Sequence, residues 1–421
     1  MKELFDYYKH RLSERSLFFI KWIILSVLSG ILIGGVSTLF QYCMTLATNT
    51  QVSYPGMIYL LPFAGLVIVA LYQLLHDEID SGTSLIISAI QSEDHIPLKR
   101  APLIFISTVI THLFGGSAGR ESAGLQLGGS IGNSLGHLLE LDDNDRHIMI
   151  MCSMSAAFSA LFGTPLSAAI FSMEVVSVGI MHYAALVPCV VSSLIAGGIA
   201  EHFDFYSEQF LLTDIPDLSL VSGTKIVILA IFCAGISTLF CIMLQNSEKL
   251  YKKYFPNPYI RIFSGGTFLM LLTLIVGNQD YNGIGMSVIA RCFYGNTCVP
   301  YAFLLKILFT AITLSAGYKG GEIVPSLFVG ATFGCAFGNL LGFAPSLCTA
   351  AGMGAVFCGV TNCPITSLLT CLELFGPAGM PYYLLAISIS YMLSGYSGLY
   401  HSQKIVYSKY KTEYINRKTN D

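Results

Sequence analysis

The sequence is poor in charge. Aspartate, glutamate, lysine and arginine make up 11% of its 421 residues, whereas a soluble domain carries about 25%. The formal net charge is -3, so the chain lacks the basic field that neutralises phosphates, and we expect no nucleic-acid partner. Apolar residues reach 54%. Low charge together with high apolar content predicts a protein whose main partner is the lipid bilayer.

Paired cysteine motifs are also missing. None of the twelve cysteines belongs to a Cys-x-x-Cys pair, and most stand alone within apolar runs. This distribution is typical of small packing residues rather than of a metal site or a disulfide framework. Cys292 and Cys298 lie in a more polar stretch and could pair. We otherwise expect neither a metal ion nor a cofactor.

Plain apolar runs of the length that crosses a bilayer are few. A simple transmembrane helix needs about 20 consecutive apolar residues, but here 40 glycines and 15 prolines cut the apolar sequence into shorter pieces. Broken helices are tolerated at membrane depth where they are buried in protein or line a cavity. The interruptions therefore predict a polytopic membrane protein with a polar interior.

The sequence repeats itself after about 200 residues. Residues 35–40 (GVSTLF) return 200 positions later as residues 235–240 (GISTLF), and Gly119-Arg120-Glu121 returns 201 positions later as Gly320-Gly321-Glu322. Duplicated apolar halves are typical of transporters whose site lies between the repeats.

A third landmark has the same period and the same order. Thr164-Pro165-Leu166-Ser167 is followed by Glu174, and Cys363-Pro364-Ile365-Thr366 by Glu373, each glutamate nine residues after its proline. Each of these glutamates closes an apolar helix, and we favour a structural role for both.

The chain divides simply on these landmarks. We expect an N-terminal helix over residues 1–16, a first transmembrane repeat over 17–200 and a polar connector over 201–222. A second repeat follows over 223–400, and residues 401–421 form a short basic tail. The positive-inside rule predicts that both termini are cytoplasmic.

The first glycine-rich turn carries an acidic residue at the start of a helix. A helix N-terminus attracts anions because its N–H groups are unsatisfied and its dipole is positive there. Glu121 supplies an anion of its own, so its carboxylate can compete with a bound ion and be released on protonation. The alternative is a structural ion pair between Arg120 and Glu121, although charges inside a membrane are costly enough to indicate function.

The second turn, residues 317–325, has the same construction. Its glycines precede Glu322, and a helix is predicted to start near Pro325. Two helix N-termini that point at one spot from opposite halves would form an anion site in the middle of the membrane.

At these residues the chain resembles the CLC family of anion channels and anion/proton antiporters. Gly119-Arg120-Glu121 corresponds to the gating-glutamate motif of that family, with Ser122-Ala123 in place of the usual Gly-Pro. Residues 320–325 fall at its Gly-x-Phe-x-Pro loop, and Tyr400 falls at its anion-binding tyrosine. The resemblance covers nearly the whole chain.

The resemblance implies an all-α membrane fold of two inverted repeats with many short, tilted and broken helices, assembled as a homodimer in the cell membrane. It also implies roles for individual residues. Gating and proton transfer fall to Glu121 and Glu322, anion binding to Thr83, Ser84, Ile323, Val324 and Tyr400, and support of the motifs to Gly119, Arg120, Gly320, Gly321 and Pro325.

Two departures resemble the fluoride-exporting branch. Chloride members carry Gly-Ser-Gly-Ile-Pro where residues 82–86 read GTSLI, and an apolar residue where Glu322 stands. Their inner proton-transfer glutamate corresponds to Val175. We therefore expect fluoride to be exchanged for protons.

Alternative functions stay open at this point. Thr83 keeps a hydroxyl that could serve chloride, and Val324 stands where fluoride exporters often have threonine. A chloride channel or a chloride/proton exchanger is the main alternative. An intramembrane enzyme is remote, because the histidines are scattered and no nucleophile stands at useful spacing from a base.

Overall fold

The computed structural model describes residues 2–77, 82–92, 96–205, 209–212 and 214–420, with side chains from residue 15 onward. Sixteen α-helices and three short strands lie in these ranges. The first half contains α1 (Lys2–Ser53), α2 (Leu61–Leu74), α3 (Gly82–Gln91), α4 (Arg100–Leu113), α5 (Glu121–Leu138), α6 (Asp143–Phe162), α7 (Pro165–Glu174) and α8 (Leu186–His202).

The second half repeats this order of helices. It contains α9 (Leu220–Tyr254), α10 (Pro258–Val276), α11 (Met286–Tyr294), α12 (Ala302–Ala316), α13 (Ile323–Leu340), α14 (Pro345–Thr361), α15 (Pro364–Phe375) and α16 (Met380–Leu393). The repeated tripeptides stand at the starts of α5 and α13. The predicted all-α membrane fold of two repeats is confirmed.

Helix lengths explain why long apolar runs are few. Within the described ranges, six helices are long and apolar enough to cross a membrane, and several others span only 10–17 residues. Helix α1 continues without a break from Lys2 to Ser53, so from Lys2 onward the segment predicted as an N-terminal helix is the beginning of this long helix.

Glycines allow the central helices to pack backbone against backbone. A Cβ at Gly330 on α13 would lie 2.4 Å from the carbonyl oxygen of Gly352 on α14, and one at Gly352 would lie 2.5 Å from the carbonyl oxygen of Gly330. The first half has the same contact between α5 and α6, where a Cβ at Gly128 would lie 2.6 Å from the Ser153 carbonyl. Small residues at such crossings are typical of helices packed within membranes.

Each half caps a helix of the other half. The Glu174 carboxylate, at the end of α7, accepts hydrogen bonds from the backbone N–H groups of Ile365 (3.1 Å) and Thr366 (2.8 Å) at the start of α15. In return, Glu373 at the end of α15 accepts from Leu166 and Ser167 at the start of α7, both at 2.9 Å. These reciprocal bonds satisfy N–H groups that a helix start leaves free, which supports the structural role expected for both glutamates.

The C-terminal tail folds back onto the membrane domain. Strand β2 (Lys404–Tyr407) pairs in parallel with β1 (Ser177–Val178) from the first half and antiparallel with β3 (Tyr414–Lys418). The Thr419 hydroxyl donates to the Tyr400 carbonyl at 2.8 Å. The sequence predicted only a basic tail here, because strands of two to five residues leave little periodicity to detect.

Candidate functional site

The two glycine-rich turns meet in space and pair with each other. The Gly119 N–H donates to the Gly321 carbonyl at 2.6 Å, and the Gly321 N–H donates to the Gly119 carbonyl at 2.7 Å, forming an isolated antiparallel bridge. A Cβ at Gly321 would lie 2.9 Å from the Cβ, backbone N and Oγ of Ser122, so the close contact of the two turns favours glycine there. The bridge brings the N-termini of α5 and α13 together, as the duplication predicted.

Glu121 folds back over the start of its own helix. One carboxylate oxygen accepts a hydrogen bond from the Arg120 N–H at 3.0 Å, and the other lies 3.3 Å from the Arg120 Nε. The residue is only 1% exposed. Its carboxylate therefore occupies the region where the dipole and free N–H groups of α5 attract negative charge.

Glu322 stands at the equivalent position of the second half. It is the N-cap residue of α13, and its carbonyl accepts the first helical hydrogen bond, from the Ser326 N–H at 3.1 Å. The following N–H groups, of Ile323 and Val324, are among those that a helix leaves without internal partners. Pro325 has no N–H to satisfy, so it is well suited to this first turn.

Two buried hydroxyls near the bridge have no hydrogen bond of good geometry among the described residues. They belong to Ser122, which follows Glu121, and to Tyr400, although Ser122 lies beside the Glu322 side chain and the Tyr400 hydroxyl. Ser122 lies against the second turn, since a Cβ at Gly321 would lie 2.9 Å from the Ser122 Oγ. Unsatisfied buried hydroxyls are costly, so both side chains are available to donate to an anion.

Two cavities approach the bridge and each contains one of the glutamates. The Glu322 cavity, of about 400 Å³, is lined by residues that include Thr83, Ser84, Glu322 and Tyr400. The Glu121 cavity, of about 380 Å³, is lined by residues that include Arg120, Glu121 and Val324. Two cavities therefore approach the paired turns, and each is lined by a different carboxylate.

Basic side chains gather in the Glu322 cavity. Lys252, Arg261 and Lys319 line it together with one further acidic residue, Glu248, which pairs with Lys252 at 2.5 Å. Positive charge in a cleft raises the local concentration of anions. This cavity is therefore suited to the entry of a small anion.

Most of the predicted site residues are brought together, with one difference. Thr83 and Ser84 line the Glu322 cavity at the start of α3, and Thr83 Oγ1 lies 3.4 Å from the Ser122 carbonyl. The Ile323 side chain is fully buried and lines neither cavity, so only its backbone can serve an anion. Sequence reasoning missed Ser122 as a donor, although its hydroxyl next to Glu121 was a visible signal.

Comparison with known proteins identifies the family. Residues 64–395 match the voltage gated chloride channel family. The chain belongs to this family, the CLC family. A chloride/fluoride channel protein of Pseudomonas syringae pv. tomato is 33% identical over 397 residues, which cover 93% of this chain and 88% of the relative.

Solved CLC structures share the fold. A CLC-type fluoride/proton antiporter has 30% identity and a TM-score of 0.88, with 91% of this chain and 98% of that chain covered. A slow cyanobacterial Cl-/H+ antiporter has 19% identity and a TM-score of 0.74, with 89% and 94% covered. The chain is thus a CLC-family anion transporter that spans a membrane.

Proposed function

We propose that this CLC-family chain exports fluoride in exchange for protons, with Glu121 as the gate and Glu322 as a second proton-transfer group. The observation that carries the proposal is the placement of two carboxylates on either side of the Gly119–Gly321 bridge, one in each cavity. Glu121 and Glu322 can each bind a proton, so each of the two cavities contains a group that can carry it. The fluoride/proton antiporter among the structural neighbours lends further support.

The donors at the site suit fluoride. Fluoride is small and strongly hydrated, so it leaves water only for compact, strong hydrogen-bond donors. The hydroxyls of Ser122 and Tyr400 are buried without a well-formed hydrogen bond among the described residues, and the first amides of α13 point out of the helix start. A bond to a charged acceptor contributes about 1.5–3 kcal/mol, so a few such donors can replace a hydration shell.

Glu121 provides a way to couple the two ions. When ionised, its carboxylate accepts from the Arg120 N–H and competes with an anion for the N-terminus of α5. Protonation removes that competition and lets the side chain leave, so an anion moves as a proton is taken up. Glu322 is positioned to pass the proton into the other cavity, where it is a lining residue.

We also propose that the protein works as a homodimer in the cell membrane. The proposal extends the expectation for the family, and many apolar side chains of α8 and α16, such as Leu194, Leu384 and Met392, are exposed and suited to lipid or to a second copy. Chemical cross-linking in membranes tests this arrangement. A monomer at all protein concentrations contradicts it.

Transport by purified protein in liposomes tests the proposed function. Vesicles are loaded with fluoride or chloride, and anion efflux is followed with an ion-selective electrode alongside internal pH. Fluoride efflux that drives protons inward, with chloride largely excluded, is the expected result. Rapid chloride efflux without proton movement would instead identify a passive chloride channel.

A further inference from the structure

Three cysteines that are distant in sequence form one cluster. Cys292 on α11, Cys298 in the connection to α12 and Cys335 on α13 place all three sulfur atoms within 4.8 Å of one another. Cys292 and Cys335 are fully buried, whereas Cys298 is half-buried and gives the cluster access from outside. We propose that these thiols bind one soft divalent cation of the zinc and cadmium class.

The spacing of the sulfur atoms is close to that of a bound site. Sulfur ligands about 2.3 Å from a tetrahedral ion lie about 3.8 Å apart. A contraction of about 1 Å from the observed limit would close the cluster around an ion. Binding through all three thiolates releases three protons, and the ion forms three metal–sulfur bonds with water completing the set.

The surroundings hold the three sulfur atoms in place. The Cys298 thiol donates to the Thr332 carbonyl on α13 at 3.3 Å. The Asn339 side-chain amide donates to the Asn296 carbonyl at 2.8 Å and lies 3.6 Å from Cys335 Sγ. Asn339 thus holds the connection that carries Cys298 and offers an N–H group to the Cys335 sulfur. Residues around metal sites commonly orient the metal ligands by such hydrogen bonds.

The cluster changes the expectation for these three cysteines. Isolated positions in the sequence predicted packing residues and, for Cys292 and Cys298, a possible disulfide. All three are free thiols in the structure, and the third member, Cys335, comes from a helix 37 positions after Cys298. A disulfide between Cys292 and Cys298 would leave Cys335 as a single thiol, whereas a bound cation is coordinated by all three cysteines.

Cadmium binding to the full-length protein in detergent tests the proposal. The protein is reduced, freed of reductant without air and titrated with Cd²⁺ while the ultraviolet thiolate-to-cadmium charge-transfer band is recorded. We expect the band to saturate at about one ion per chain, to be displaced by a chelator, and to disappear in Cys335→Ser and in Cys298→Ser. Cys43→Ser, which changes a half-buried cysteine outside the cluster, keeps the band.

Two further results discriminate the alternatives. Asn339→Ala keeps all three thiols, and we expect it to weaken cadmium affinity by about 10–100-fold. If Cys335→Ser disturbs folding, Cys298→Ser carries the test because its side chain is half-buried. A band that does not saturate, or one that persists in Cys298→Ser, overturns the proposal, as does quantitative Cys292–Cys298 disulfide in unreduced membranes. None of these outcomes depends on the proposed transport function.

Discussion

Gly119 and Gly321 exchange two backbone hydrogen bonds, of 2.6 and 2.7 Å, and so join the turns that begin α5 and α13. Each glycine lies within two residues of a proposed proton-carrying glutamate. The contact also joins one repeat to the other. Changes at this bridge should therefore affect transport more strongly than equal changes elsewhere.

Gly321→Ala should damage both stability and transport. The new methyl group would lie 2.9 Å from the Cβ, backbone N and Oγ of Ser122, and such overpacking costs about 1–3 kcal/mol. Thermal unfolding and fluoride flux measure the two effects. The matched control is Gly35→Ala, because nothing lies within 4 Å of a Cβ there. Equal effects in the two variants would show that the bridge has no special role.

Ser122→Ala should weaken fluoride binding without lowering stability. Its hydroxyl lies beside the Glu322 carboxyl and the Tyr400 hydroxyl but has no hydrogen bond of good geometry among the described residues, so we expect its loss to change stability little. A bond to fluoride contributes about 1.5–3 kcal/mol, which corresponds to a loss of affinity of about 10–100-fold. Fluoride titration calorimetry and thermal unfolding measure the two quantities.

A serine on the same helix provides the contrast to Ser122. Ser130 donates to the Pro97 carbonyl at 3.0 Å, and it lines neither cavity. Ser130→Ala should lower stability by about 1 kcal/mol and leave fluoride affinity unchanged. Unchanged fluoride affinity in Ser122→Ala would remove that residue from the site.

Glu174→Ala should destabilise the protein while leaving proton coupling intact. The carboxylate accepts from the N–H groups of Ile365 and Thr366, and leaving such buried donors unsatisfied costs about 1–3 kcal/mol. Glu174→Gln keeps a carbonyl acceptor and should lose less. Because Glu174 lines neither cavity, loss of coupling in a folded Glu174→Ala protein would assign it a transport role instead.

The internal repeat allowed part of the site to be predicted from the sequence. Matching tripeptides 201 residues apart predicted that Glu121 and Glu322 occupy equivalent helix starts, and the bridge between Gly119 and Gly321 bears out that the two turns meet. The low content of charged residues and the interrupted apolar runs predicted a polytopic membrane protein, because a bilayer restricts which backbone structures can cross it. These inferences depend on local composition and on period, which a sequence displays directly.

Features that depend on contacts between distant segments could not be predicted in this way. The period paired Glu174 with Glu373, but nothing local showed that each would cap the helix of the other half. The cysteine cluster could not be predicted for the same reason, because Cys335 lies on a different helix from Cys292. Strands β2 and β3 are short, and the pairing of β2 with β1 joins residues more than 200 positions apart.

Lys409 should make stability depend on alkaline pH. Burial lowers the pKa of the Lys409 ammonium from 10.5 to about 8. The ammonium donates a hydrogen bond to the Asn362 side chain at 2.5 Å and lies over the Tyr391 ring. Between these two values the unfolded chain holds a proton that the folded protein does not hold. Stability should therefore rise with pH across this window.

Thermal unfolding at about pH 7 and pH 9.5 measures the contribution of Lys409. Lys409→Met should remove part of the rise, whereas Lys411→Met, which changes an exposed lysine in the same segment, should keep it. An equal increase in thermal stability with pH in both variants would show that groups other than Lys409 cause it.

The most direct test of Glu121 as the proton-coupled gate compares the wild type with Glu121→Gln in fluoride-loaded liposomes, with proton uptake and fluoride efflux recorded together. Glutamine keeps the size of the side chain but cannot carry a proton. Glu373→Gln serves as the matched control, because Glu373 caps α7 and lines neither cavity. We predict inward proton movement with fluoride in the wild type and in Glu373→Gln, and none in Glu121→Gln. Intact proton-coupled fluoride transport in Glu121→Gln would contradict it.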